Sequence, residues 1–226
     1  MQIIYEDNHL IVVNKSPGEI VQGDKTGDQP LSEAVARYLK QRYNKPGNAF
    51  VGVVHRLDRP VGGLVIFAKT SKALERMNQL FREGKVEKHY WAIVANAPNP
   101  EQGRLIHWLK KNEKQNKSYA SNSPKDGAKR AELTYRTLAK SKNYTLLDVQ
   151  LLTGRHHQIR CQLAAIGSPI KGDLKYGAPR SNPDASISLL SYQINFEHPV
   201  SRLPISLTAP LPPDPLWQAF APTTPQ

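Results

Sequence analysis

Apolar positions along this chain follow two alternating periods, one of strands and one of helices. Ile3-Ile4 and Leu10 to Val13 are short β-branched runs separated by Glu6-Asp7-Asn8, and the turn Lys15-Ser16-Pro17-Gly18 ends the second. Between Asp28 and Tyr43 the spacing of Leu31, Ala34, Val35, Tyr38 and Leu39 predicts an amphipathic helix, with Pro30 at its start. Val51 to Val54 and Leu64 to Ala68 have strand length. The link between them carries Pro60, Gly62 and Gly63, which break regular structure. Ser71 to Glu83 predicts a second helix, with Leu74, Met77, Leu80 and Phe81 inward and Gly84 as the stop.

The second half is richer in strands. Lys85 to Ala95 sets Tyr90, Ala92 and Val94 against His89, Trp91 and Ile93, the alternation of a strand with two usable faces. Arg104 to Leu109 predicts another strand, and Lys110 to Arg130, polar and without periodicity, is expected to be a long solvated loop. Ala131 to Leu138 and Tyr144 to Leu151 flank Ser141-Lys142-Asn143 as a hairpin. Thr153-Gly154 then leads into a helical stripe, Ile159, Leu163 and Ile166, stopped by Gly167. A turn-rich segment from Gly167 to Gly177 precedes strands at Ile187 to Phe196 and Leu203 to Thr208, and Leu216 to Phe220 predicts a short helix. The final residues, 222–226, are expected to fray.

Length and charge narrow the picture. A chain of 226 residues suits one large domain with a sizeable core. Lys and Arg outnumber Asp and Glu by 31 to 19, a formal net charge of +12, so an anionic partner is expected, and nucleic acid is the first candidate. The basic residues lie within segments that otherwise look folded, which suggests a charged face on a structured domain. Cys161 is the single cysteine, which rules out an intramolecular disulfide, fits a reducing compartment and reads as a small buried hydrophobe. The N-terminal stretch has two early acidic residues and no long apolar core, so no signal peptide or membrane span is expected, and a cytoplasmic location follows.

Three places carry candidate chemistry. Asp58, between Arg56 and Arg59, stands in the turn after a strand, where a rigid sheet can aim a carboxylate into a cleft. The same spacing fits a turn aspartate that caps its own backbone. Arg155 stands at a strand-to-helix corner, from which its planar fork could reach the carboxylate of another strand end. Tyr90 could face a cleft from its strand, or equally fill the core. His156, His157 and Cys161 invite a metal reading, but no second cluster of ligands completes a tetrahedral set, so no metal is expected.

Taken together and in order, HRLDRPVGGL with Asp58, KHYWAIV with Tyr90, and TGRHHQIR…GSPIKGDLKYG with Arg155 resemble the RluA-type pseudouridine synthases. YEDNHLIVVNKSPG at the front and LLSYQINFEHP near the end extend the resemblance over nearly the whole chain. Val61-Gly62 replaces the usual Thr-Ser pair, which removes two hydroxyls just after Asp58, and Leu189-Leu190-Ser191 replaces Leu-His-Ala. The chain looks like the short form without an S4-type RNA-binding domain.

The resemblance implies an α+β fold: a single catalytic domain over residues 1–221, with a mixed, mainly antiparallel sheet, flanking helices and a central RNA-binding cleft. It implies an isomerase that turns uridine in ribosomal or transfer RNA into pseudouridine, acting as a monomer. The reaction has no redox change and no energy input, so no cofactor is required. Asp58 would be the nucleophile. Arg155 would favour its charged form, and Tyr90 would stack on the uracil and stand as a candidate base for the carbon 5 proton. Leu189 would line the uracil's other side, and Arg56 would fill the gap left by the flipped nucleotide. The rivals are an RNA-binding module without catalysis and a metal-dependent nuclease or phosphotransfer enzyme. The second would need clustered carboxylates or a P-loop, and neither is present.

Overall fold

The computed structural model describes residues 1–24 and 26–221, so the expectation for the 222–226 tail lies outside the described residues. Eleven strands join in one sheet: β1 (Gln2–Glu6), β2 (Leu10–Lys15), β3 (Gly52–Val53), β4 (Gly62–Ala68), β5 (Glu87–Val94), β6 (Gln102–Asn112), β7 (Lys117–Ser121), β8 (Lys129–Lys140), β9 (Thr145–Leu151), β10 (Leu189–Glu197) and β11 (Pro204–Thr208). Their spatial order is β1-β2-β4-β10-β5-β9-β8-β6-β7, with β3 paired to β4 and β11 to β10. Every pairing is antiparallel except the short parallel contact of β4 with β10. This is the mixed, mainly antiparallel sheet expected.

Among the described residues four α-helices pack on the two faces: α1 (Leu31–Arg42), α2 (Ser71–Arg82), α3 (Gln158–Ala165) and α4 (Pro215–Gln218). The alternation of β5 sorts its side chains between two cores. Tyr90, Ala92 and Val94 join α1 and α3 on one face, while Trp91 and Ile93 join Met77 and Leu80 of α2 and Trp217 of α4 on the other. β4 is buried along its whole length, so GGLVIFA reads as one continuous apolar run rather than an alternating one. Each fully buried Leu, Ile or Phe contributes roughly 1.5–3 kcal/mol, and both faces are lined with them. Among the described residues no helix is long and apolar enough to cross a membrane.

One expectation fails locally. The supposed loop from Lys110 to Arg130 is mostly sheet, because β6 runs on to Asn112 and pairs with β7 from Trp108↔Ser121 to Asn112↔Lys117. Only the short turns around residues 113–116 and 122–128 are irregular. The inward positions of β7 are Ser118, which is buried, and Ala120, which is half-buried, so the strand packs against α3 without any apolar alternation to announce it. Its anchor is small: Leu109 packs with Ala131, Cys161 and Tyr176, and Cys161 is indeed buried.

Candidate active site

The loop from β3 to β4 bears Asp58 and enters a cleft of about 400 Å³, also lined by β5, the β9–α3 turn, α3 and the start of β10. Arg56, Asp58, Tyr90, Arg155 and Leu189 all line it.

The loop is held through its backbone. Lys15, 1% exposed, turns its ammonium inward and donates to the carbonyls of Ser16, Arg59 and Val61 at 3.1, 3.0 and 2.6 Å. Burial lowers its pKa to about 8. Gly18 N–H donates to Arg59 O and Ile187 N–H to Pro60 O, while Val61 N–H closes a turn onto Asp58 O. Arg59 also pairs with Asp28 at 2.6 Å. These bonds fasten a loop that has no hydroxyl at positions 61 and 62 to cap it. Gly63 completes the seat: at φ +109, a Cβ there would collide with Ser191 O across the β4–β10 junction.

The Asp58 carboxylate is 29% exposed and faces the cleft. Its ion-pair partner is Arg160, in the first turn of α3, with Nη1 3.1 Å from Oδ2. The same guanidinium grips Asp173 with two bonds, Nε to Oδ2 at 2.7 Å and Nη2 to Oδ1 at 2.8 Å. Burial opposes this charge, but the bonds to Asp173 and Asp58 outweigh it and raise the Arg160 pKa above its usual value. His157 also approaches, with Nε2 3.5 Å from Asp58 Oδ2.

Arg155 stands in the same cleft but does not make the expected pair with Asp58. It is exposed, and its Nε donates to the carbonyl of Arg130 at 3.0 Å. The cause is local. Gln158 Oε1 accepts from Arg155 N–H and from the Thr153 hydroxyl, and its amide donates to Glu132 O, stapling the turn to β8. That staple points Arg155 along β8, and Arg160, buried five residues later, takes the carboxylate instead. Sequence reasoning passed over Arg160 because residues 158–163 of α3 are all buried, so no polar face marked it. The available signal was chemical: an arginine between Ile159 and Cys161 in a buried helix requires a carboxylate, and Asp173 follows in the turn-rich segment after α3.

Tyr90 is buried, and its ring forms part of the cleft floor. Burial, with the Asp58 charge adding to it, pushes its phenol up to about 12. That moves it away from the range of a base at neutral pH. Leu189 sits on β10, beside Tyr90 across the β5–β10 pairing, where Ser191 is the direct partner of Tyr90. Arg56 is exposed at the rim, and among the described residues its guanidinium has no ion-pair or hydrogen-bond partner. On the opposite wall, His55 Nε2 accepts from Ile66 N–H at 3.1 Å; burial, then the nearby Lys88 charge, lower its pKa to about 3. Lys88, lowered by burial, lies 5.3 Å over the Phe81 ring.

Three comparisons bear on this arrangement. The family described as RNA pseudouridylate synthase matches residues 9–165. An uncharacterised RNA pseudouridine synthase of Chlorobaculum parvum is 34% identical, covering 94% of this chain and 71% of that protein. The ribosomal large subunit pseudouridine synthase D of Zymomonas mobilis is 31% identical, covering 95% of this chain and 70% of that one. Among solved structures, human RNA pseudouridylate synthase domain containing 4 superposes with a TM-score of 0.78 at 23% identity, covering 94% of this chain and 89% of that chain.

Proposed function

The chain belongs to the RNA pseudouridylate synthase family and is a pseudouridine synthase, an isomerase acting on RNA; from that premise we propose that Asp58 is its nucleophile and large-subunit ribosomal RNA its substrate. The observation that carries the reading is a cleft-facing carboxylate, fixed by Arg160 on one side and set against the Tyr90 ring.

Asp58 forms a bond to the uridine, through its ring or its sugar, and the bond from ribose to ring nitrogen breaks; the uracil turns, carbon 5 joins the ribose, the bond to Asp58 breaks to return the free carboxylate, and carbon 5 gives its proton to solvent while the freed ring nitrogen takes one up. Arg160 holds the carboxylate in place through its bond to Oδ2. Tyr90 and Leu189 hold the uracil between them while it turns. With its phenol held protonated, Tyr90 acts as a platform rather than as the resting base. Arg56, free at the rim, takes the space that the flipped nucleotide leaves, where its guanidinium plane can stack. Arg155, exposed at the cleft mouth, meets phosphate, as does the β6–β7 hairpin.

The ribosomal substrate is supported by the Zymomonas mobilis relative, whose name assigns it to the large ribosomal subunit. Residues 1–221 act as one monomeric, cytoplasmic catalytic domain that needs no cofactor. The test is to map pseudouridines at nucleotide resolution in total RNA from cells with and without the gene. One or more positions in large-subunit ribosomal RNA should revert to uridine. Loss confined to transfer RNA would overturn the substrate, and no loss in any RNA would overturn the activity.

A further inference from the structure

His157 takes no part in the mechanism above, yet its backbone is left-handed at φ +53, an uncommon conformation for a residue with a Cβ. That conformation turns its ring into the cleft beside Asp58. The ring is buried and stacks on His156 at 3.7 Å between centroids. One face of the Asp58 site is therefore an ordered imidazole rather than solvent.

Its tautomer can be deduced from neighbouring bonds. Ser118 N–H, on β7, donates to the Tyr176 oxygen at 2.8 Å. The phenol, which burial keeps protonated, must donate its own hydrogen, and the acceptor within reach is His157 Nδ1 at 2.9 Å. With Nδ1 accepting, the ring proton resides on Nε2, the nitrogen that faces Asp58. Burial first, then the Arg160 charge, hold the imidazole neutral. Nε2 and Arg160 Nη1 both address the same oxygen, Oδ2, at 3.5 and 3.1 Å. Among the described residues no donor contacts Oδ1.

We propose that Tyr176 and His157 form a positioning relay for Asp58: Tyr176 fixes His157 as the Nε2–H tautomer, and His157 with Arg160 immobilises Oδ2 so that Oδ1 alone is presented to the uridine. The 3.5 Å separation is that of a resting cleft; such distances tighten when substrate enters. Neither residue bonds to the substrate, so both act through Asp58. The relay also links the nucleophile to the RNA-facing hairpin, because its first donor, Ser118, belongs to β7. The inference rests on the reading of Asp58 as nucleophile.

The test combines a spectrum with kinetics. In the wild-type protein with 15N-labelled imidazoles at pH 7, the His157 resonances should show a protonated Nε2 and a bare Nδ1. Tyr176→Phe should convert this to a mixture of tautomers. On unmodified total RNA from cells lacking the gene, His157→Leu should lower kcat by about ten- to a hundredfold with KM within about twofold. His157→Gln, whose amide N–H can occupy the place of Nε2–H, should recover kcat to within about fivefold of wild type. A protonated Nδ1 in the wild-type spectrum overturns the relay, whether or not the Leu variant folds. So does wild-type kcat in His157→Leu, or a Gln variant no better than Leu. If the wild-type protein itself forms no pseudouridine, it is the functional reading that falls, and the spectrum still decides the tautomer.

Discussion

Lys15 and Arg160 are sealed among acceptors, whereas Lys114, Lys125 and Lys129 stand in solvent on the β6–β8 side of the sheet with no ion pair among the described residues. Both groups belong to the same net charge of +12. The interior pair holds the cleft together: Lys15 gathers three carbonyls around the Asp58 loop, and Arg160 bridges Asp173 and Asp58. Those charges are already satisfied by the protein and cannot serve phosphate. These surface lysines hold nothing, and for that reason are free to meet an RNA backbone. A basic composition predicts an anionic partner only through the second group.

The difference can be broken at either end. Arg160→Met should have the largest effect, because it leaves the buried Asp173 without its cation; breaking a buried pair costs about 3–5 kcal/mol. A urea midpoint measured beside turnover should show both fall, with kcat down at least about a hundredfold. If stability and turnover were unchanged, the interior cations would not be structural.

Neutralising this surface with Lys114→Gln, Lys125→Gln and Lys129→Gln together should leave melting temperature and kcat near wild type. The change should appear in RNA affinity, and above all in its salt dependence, whose slope shrinks by roughly 0.7–0.9 for each phosphate that is no longer neutralised. An unaltered slope would place the RNA on another face. Arg155→Met should be far milder than Arg160→Met: its bond to Arg130 O is at the surface, so stability should change by less than about 1 kcal/mol, and turnover should fall less than about tenfold. A drop equal to that of Arg160→Met would return Arg155 to the carboxylate.

What was legible in the sequence follows the same division. β4 announces itself because seven consecutive residues are buried, and α2 because Met77 and Leu80 recur at helical spacing. The hairpin strand β7 could not be seen, since its inward positions are Ser118 and Ala120, small residues that give no apolar alternation to read. Asp58, Tyr90, Leu189 and Arg56 were legible from ordered motifs, and the fold brings them to one cleft. Arg160 was hidden for the opposite reason to β7: a helix buried all round has no polar stripe to set one arginine apart. Lys15 was visible only as a basic turn, because its burial depends on a loop 44 residues further along the chain.

The central claim is that one carboxylate makes the reaction, and Asp58→Asn tests it most directly. The variant keeps the shape of the side chain and removes its charge. Purified wild-type and Asn proteins would be incubated with total RNA from cells lacking the gene, with pseudouridine counted by mass spectrometry and RNA binding measured in parallel. Binding should stay within about twofold while pseudouridine formation falls by at least about a thousandfold. Near-normal turnover in the Asn variant would contradict the account.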